Sequence, residues 1–403
     1  MSFDAMWDAI APVGRDAGDG GYHRFAWSDA DLTLREWFAG EAAARGLELV
    51  DDGNGNLLAW RGDTTRDDAL LVGSHLDSVP GGGAFDGPLG VVSAFAAIDD
   101  LDARGVALDR PLAVGAFADE EGARFGIACA GSRLMTGSLD AEKALGLRDR
   151  DGLTLAETLR ARGRRVEDVR PRPDLLGRIG TFVELHVEQG RALDLDDGAA
   201  VGVGSAIWPH GRYRFTFTGR ADHAGTTPMD DRQDPMLTFA MTVLAANKQA
   251  RLLGARATFG RVEVDPNGTN AIPSQVRAWM DARAADESVL DDLVARVTAQ
   301  AADRAGRDGT GVETTAESVS AEVAFDAALA AELSTLLDDA PVLPTGAGHD
   351  AGVLARHGVP TAMLFVRNPT GVSHSPHEHA DEADCLAGVA ALARTIEHLA
   401  GAR

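Results

Sequence analysis

Apolar residues follow two patterns along this chain. In the first, short apolar runs alternate with stretches of helical period. Leu70–Val72 reads as a buried strand, Val91–Ile98 opens the helix after it, and further runs are Leu112–Ala118, the stretch around Thr181–Leu185, and Ala362–Val366. A helical region precedes them. Strands separated by helices predict an α/β fold with a mostly parallel sheet covered on both faces. The second pattern occupies the middle of the chain, where Tyr213–Thr218 and Ala255–Val264 alternate and Gln275–Arg283 is a further strand candidate. Helix candidates Pro235–Leu253 and Glu287–Ala305 intervene, and a last strand lies near Val312–Ser318. The order strand, helix, strand, strand, helix, strand is that of the ferredoxin-like split βαβ unit. The pattern therefore predicts an α/β domain over 1–208 and 321–403, interrupted by a small α+β domain over 209–320.

Length agrees, since 403 residues exceed the usual single core. With 45% hydrophobic and 25% charged residues the composition is that of an ordinary soluble globular protein. No segment has the ~18 uncharged apolar residues of a membrane helix. The opening MSFDAMWDAIAPVGRD carries acidic residues where a signal peptide is basic, which predicts a cytoplasmic protein. Cys129 and Cys385 are too few for a disulfide framework. Charge changes the picture more. A net charge of −24 leaves no basic footprint for nucleic acid, and only two lysines, Lys143 and Lys248, are present. Such a surface repels itself in dilute buffer and is tolerated at ~1 M salt, where the screening length falls to ~3 Å. The expectation is a salt-adapted (halophilic) protein.

Ligands of open α/β sheets bind beyond the carboxyl ends of the strands, and metal-capable residues follow the predicted strands here. GSHLDSVPGGGAFDG supplies His75, Asp77 and Asp86; LAVGAFADEEG supplies Asp119, Glu120 and Glu121; TFVELHVEQG supplies His186 and Glu188; MLFVRNPTGVSHSP leads to His374. Imidazoles mixed with carboxylates suit zinc, manganese or cobalt better than magnesium. A single carboxylate can bridge two cations ~3.5–4 Å apart, and Asp86, in a glycine-rich loop between two ligand-bearing strands, is the best bridge. One cation would take His75 and His186, the other Glu121 and His374. Asp77, two residues after His75, is placed to orient that imidazole. Of the adjacent glutamates, one can bind metal while the other shuttles a proton. His23, His210, His357 and His398 match no motif. No GxGxxG follows a strand, and Gly81–Gly83 lacks the Gly-Lys-Ser/Thr of a phosphate loop.

Taken together, GSHLDSVPGGGAFDGPLGV, FADEEGARFG, ELHVEQG, DHAGTTPM, VDPNGTNAIP with MDAR, TGAGHDA and GVSHSP resemble the hydantoinase/carbamoylase-type amidases of the dizinc aminoacylase/carboxypeptidase superfamily. These motifs run in the family's order from about residue 73 to 376. The resemblance implies two divalent metal ions on His75, Asp86, Glu121, His186 and His374, with Glu120 as general base. It implies that the inserted domain mediates homodimerisation, and that His223 reaches the neighbouring subunit's active site to stabilise an oxyanion. Asn270 and Arg283 stand at the family's carboxylate-recognition positions; Gln189 would contact a ureido group, and His349 would line the pocket. His377 and His379 compete with His374, which alone aligns with the SHSP pattern, and Thr345 stands where the family often has serine. The implied activity is hydrolysis of a carbamoyl C–N bond, foremost in an N-carbamoyl-L-amino acid. Allantoate amidohydrolase and β-ureidopropionase activities are the nearest rivals. An aminoacylase or peptidase is further off, and a non-catalytic binding protein on the same scaffold is disfavoured by the retained Glu120.

Overall fold

A computed structural model of the protein describes residues 2–195 and 198–401. The chain divides into two compact units, with boundaries between Ala206 and Ile207 and between Val323 and Ala324. The strands in chain order are β1 (Glu48–Asp51), β2 (Leu57–Arg61), β3 (Ala69–His75), β4 (Leu112–Phe117), β5 (Ile179–Val187) and β6 (Val201–Ile207). There follow β7 (His210–Thr218), β8 (Asp222–His223), β9 (Arg256–Asp265), β10 (Ala271–Ile272), β11 (Gln275–Arg283) and β12 (Gly311–Ser320). The last are β13 (Val323–Ala324), β14 (Val342–Thr345) and β15 (Thr361–Val366).

The larger unit is built on a mixed sheet of order β1-β2-β4-β3-β5-β15-β6-β13, with β14 also on β6. Its centre, β4-β3-β5-β15, is parallel, and the predicted apolar runs all lie there or in the helix after β3. The flanking pairs β1–β2, β2–β4 and β15–β6 are antiparallel. These outer strands were not anticipated: β1 is largely exposed, and Gly202 and Gly204 give β6 the look of a turn. Helix Pro88–Arg104 begins with proline in its first turn and stops at Gly105 in the left-handed conformation, as capping physics prefers. It buries Leu89, Val91, Val92, Phe95, Ile98 and Leu101, each contributing roughly 1.5–3 kcal/mol of apolar transfer. Helix Glu382–Ala400 packs on it, and together they cover β3, β5 and β15.

The smaller unit carries a four-stranded antiparallel sheet of order β12-β7-β11-β9. Helices Pro235–Leu253 and Glu287–Asp308 connect β7 to β9 and β11 to β12, which is the ferredoxin-like arrangement. Alternate residues of β7 and β11 are buried, so Phe215, Phe217, Val276, Ala278 and Met280 meet Leu290, Leu293 and Val297 from the second helix. A two-stranded ribbon, β8 with β10, completes it.

Candidate metal centre

Three neighbouring parallel strands deliver metal-capable side chains at their carboxyl ends. His75 is the last residue of β3, Asp119–Glu121 follow β4, and His186 is the penultimate residue of β5. Asp86 comes from the loop between β3 and its helix, and His374 from the segment beyond β15. Gly87 is required beside them: its φ is +88°, and a Cβ there would collide with the His75 ring. Helix Ala130–Thr136 fixes the Asp119–Glu121 turn, since the amides of Cys129 and Ala130 at its start donate to the carbonyls of Glu120 and Asp119 at 2.6 and 3.0 Å.

Asp86 is the shared member of two groups. One ligand atom each from His75, Asp86 and His186 lie within 4.8 Å of one another, as do atoms from Asp86, Glu121 and His374. Asp86 Oδ1 stands 3.4 Å from His75 Nε2 and 3.2 Å from His186 Nε2. On the other side His374 Nε2 is 3.5 Å from Asp86 Oδ2 and 3.4 Å from Glu121 Oε2. The other ring nitrogen of each imidazole is already committed. His186 Nδ1 lies 2.8 Å from the Val187 carbonyl and His75 Nδ1 3.1 Å from the Asp77 carbonyl, which makes each Nδ1 the donor and leaves Nε2 as a lone pair. Both Nε2 atoms are buried without a hydrogen-bond partner. Two orphaned imidazole lone pairs facing carboxylates fit a divalent cation.

The electrostatics point the same way. Burial alone would lower the pKa of His75, but Glu120, with Asp77 and Asp86, raises it well above the ordinary imidazole value. His186 is likewise raised by Asp86 against the effect of burial. Asp86 is held well below the usual carboxylate range because His186 and His75 outweigh its desolvation. Burial pushes Glu120 and Glu121 well up, reinforced for Glu120 by Glu121 and for Glu121 by Asp86. Carboxyl groups crowded out of water in this way are relieved by positive charge placed between them.

Asp77 stands against the His75 ring and also holds the turn that carries the two glutamates. Its carbonyl is the closer partner of His75, while its carboxylate, 3.5 Å from His75 Nδ1, accepts the backbone amides of Glu120 and Glu121 at 3.1 Å each. Glu120 itself is in neither group; its Oε2 is 3.9 Å from His75 Nε2 and its Oε1 accepts from Cys129 Sγ at 3.5 Å. Gln189 Nε2 donates to Asp86 Oδ2 at 2.7 Å, and its Oε1 is buried without a partner. His349 caps helix Asp350–Arg356 with its ring centroid 4.6 Å from that of His186, neither ring nitrogen finding a partner. Burial and His186 lower its pKa well below normal, so it is neutral. Of the residues grouped by sequence as metal-capable, Glu188 is turned away: its carboxylate accepts the amides of Ala192 and Leu193 at 2.5 and 3.0 Å. His379 pairs with Asp381 at 3.1 Å, leaving His374 as the histidine of its segment that joins a group.

His223, Asn270 and Arg283 belong to the smaller unit. His223 pairs with Ala271 across the β8–β10 ribbon, and the amide of Ala224 donates to the Asn270 carbonyl at 2.9 Å, which brings those two positions together. The exposed His223 ring accepts from the Gly225 amide at Nδ1, 3.0 Å away, which places the proton of the neutral ring on Nε2. Arg283 ends β11 and binds the Asp281 carboxylate through Nε and Nη2 at 2.8 and 3.2 Å.

Several supporting residues escaped the sequence reading. Glu184 is fully buried, accepting from Ser74 Oγ at 2.7 Å and from the Ala351 amide at 2.9 Å. An acid inside an apolar strand, two residues before His186 on the same face, was the signal available. Buried Asp350 accepts from Ser132 Oγ. Ser373 Oγ donates to Asp86 Oδ2 at 3.2 Å, and Glu378 accepts the amides of Phe85 and Asp86. Burial, with Asp86 nearby, pushes the Glu378 carboxyl up to about 7.

The parallel-centred α/β unit carries carboxylates and imidazoles at its strand ends, and the comparisons with known proteins place it among hydrolases and name the family. The model of peptidase family M20/M25/M40 matches residues 71–398, and the chain belongs to that family. An N-carbamoyl-L-amino acid amidohydrolase of Geobacillus stearothermophilus is 36% identical over 98% of this chain and 98% of its own. An allantoate amidohydrolase of Escherichia coli (strain K12) is 33% identical over 94% and 93%. The crystal structure of a hydantoinase/carbamoylase family amidase from Burkholderia vietnamiensis matches with a TM-score of 0.86 at 32% identity, covering 99% of this chain and 97% of that one.

Proposed function

We propose that the protein hydrolyses the carbamoyl C–N bond of an N-carbamoyl-L-amino acid, releasing ammonia, carbon dioxide and the amino acid. The observation that carries this reading is the pair of ligand groups sharing Asp86 beside Glu120, in a chain 36% identical to an N-carbamoyl-L-amino acid amidohydrolase. His75, Asp86 and His186 would hold one divalent cation and Asp86, Glu121 and His374 a second, with zinc, manganese or cobalt suited to the donors. Bound there, such cations polarise a carbonyl and make water acidic near neutral pH.

The chain's own residues supply the rest. Glu120 takes the proton of the attacking water and returns it to the departing nitrogen, so that the C–N bond breaks as ammonia forms. The carbamate left on the amino acid then loses carbon dioxide. The partner subunit's His223, protonated at Nε2, donates to the oxyanion as negative charge develops. Arg283, with Asn270, grips the substrate carboxylate, because a guanidinium offers both charge and a planar pair of donors. Gln189 and neutral His349 orient the ureido group. A homodimer is supported by Leu237, Met241 and Leu244, exposed at helical spacing on Pro235–Leu253. Among the described residues no helix is long and apolar enough to cross a membrane, and we assign the enzyme to the cytoplasm.

The 33% identity to an allantoate amidohydrolase supports a second reading, in which allantoate is the substrate of the same centre. Ammonia release from zinc- or manganese-loaded protein separates the two, using N-carbamoyl-L-amino acids, N-carbamoyl-β-alanine and allantoate, with and without EDTA. Chelator-sensitive release from an N-carbamoyl-L-amino acid is the expected result. Release from allantoate or N-carbamoyl-β-alanine alone transfers the assignment to that substrate. Cleavage confined to an N-acetyl amino acid or a dipeptide overturns the carbamoyl reading.

A further inference from the structure

Asp86 is gripped twice by the segment that carries His374. Ser373 Oγ donates to its Oδ2 at 3.2 Å. Five residues further on, Glu378 accepts the amides of Phe85 and Asp86 on one oxygen, Oε2, at 2.8 and 3.1 Å. Glu378 is 6% exposed, and its own amide donates to the Ser375 carbonyl at 3.0 Å, so a tight turn joins it to the residue after His374. Gly83 makes the approach possible, since a Cβ there would collide with Cβ and Oε2 of Glu378. Two loops nearly 300 positions apart in sequence (293 between Glu378 and Phe85) are thereby locked at the residue common to both ligand groups.

We infer that Glu378 is a positioning residue for the centre, which holds the Asp86 backbone so that one carboxylate faces both ligand groups and the His374 segment stays in register with it. The inference rests on the two-cation reading above. A group that fixes a shared ligand acts most on the site built from loops. The first group has His75 and His186 on rigid strands, whereas the second depends on His374, in a loop and half exposed. Loss of the Glu378 acceptor therefore weakens the second cation more than the first, by the roughly 10- to 100-fold seen when an outer partner of a metal ligand is removed.

The experiment is titration of chelator-stripped full-length protein with Mn2+ alone, followed by calorimetry and bound-metal analysis, together with thermal unfolding in EDTA and in saturating Mn2+. Glu378→Ala and Gly83→Ala should each lose far less stability in EDTA than in saturating Mn2+, retain one tight cation, and bind the second roughly 10- to 100-fold more weakly. Glu378→Gln, whose amide oxygen can still accept both backbone amides, should restore the second cation to near wild-type affinity. Two cations bound with wild-type affinity by Glu378→Ala would overturn the inference. So would a loss of stability in EDTA equal to the loss in Mn2+, which marks a purely structural anchor, and so would a Gln variant that behaves like the Ala variant. Wild-type protein that takes up fewer than two cations overturns the two-cation reading itself, and this inference with it.

Discussion

Glu120 Oε2 lies 3.9 Å from His75 Nε2, too long for a hydrogen bond yet close enough for each group to favour the other's charged form. Glu120 belongs to neither ligand group. Its removal as a base should therefore be separable from loss of metal. Glu120→Gln is expected to keep wild-type bound metal while turnover falls by about 10²–10⁴ or more. Near-normal kcat at full metal occupancy would remove Glu120 from the mechanism.

The proposed role of His223 in a neighbouring subunit's active site predicts complementation. Glu120→Gln and His223→Ala proteins should each be nearly inactive alone. Dissociated, mixed and reassociated, they should recover about a quarter of wild-type activity, since half the two-fold dimers are mixed and each restores one site. Recovery no greater than the sum of the parents would place His223 in its own subunit's site, or outside catalysis.

A buried acid near the first helices predicts a pH effect on stability. Burial raises the Asp31 carboxyl from 3.8 to about 6, against the opposing Arg35 charge and the Trp27 amide, 2.7 Å away, which donates to it. Because the folded pKa is the higher one, the folded state binds the extra proton between pH ~4 and ~6, and stability falls as pH rises through that window. Asp31→Asn keeps an acceptor for Trp27 and removes the ionisation. Relative to wild type it should gain up to about 3 kcal/mol at pH 8 and nothing below pH 4. Denaturant unfolding at the two pH values checks this, and a variant less stable at pH 8 than wild type refutes it.

Surface charge predicts a salt response of unusual sign. With a net charge of −24, self-repulsion opposes the compact state until ions screen it. We expect the unfolding temperature, at fixed metal occupancy, to rise between low and molar KCl. A flat or falling profile would show that the acidic composition is not salt adaptation.

The chain's local pattern carried much of the architecture. Helix Pro235–Leu253 and strand β11 have the bounds that their periodicity predicts, and the apolar runs ending near His75, Asp119 and His186 are the central parallel strands. Burial is encoded residue by residue, through the period of apolar side chains, so strands, helices and the polar residues at their ends were legible without coordinates. Which polar groups meet was not. Glu378 reaches Phe85 and Asp86 across nearly the whole chain, Glu184 caps the distant Ala351 amide, Glu188 turns to its own loop, and Asp281 holds Arg283. The antiparallel strands β1 and β6 that flank the parallel centre were equally silent, the one short and exposed and the other interrupted by Gly202 and Gly204. A buried donor or acceptor must find a partner, but sequence specifies only the need. The partner is decided by the path of loops between elements, and only the tertiary structure fixes that path.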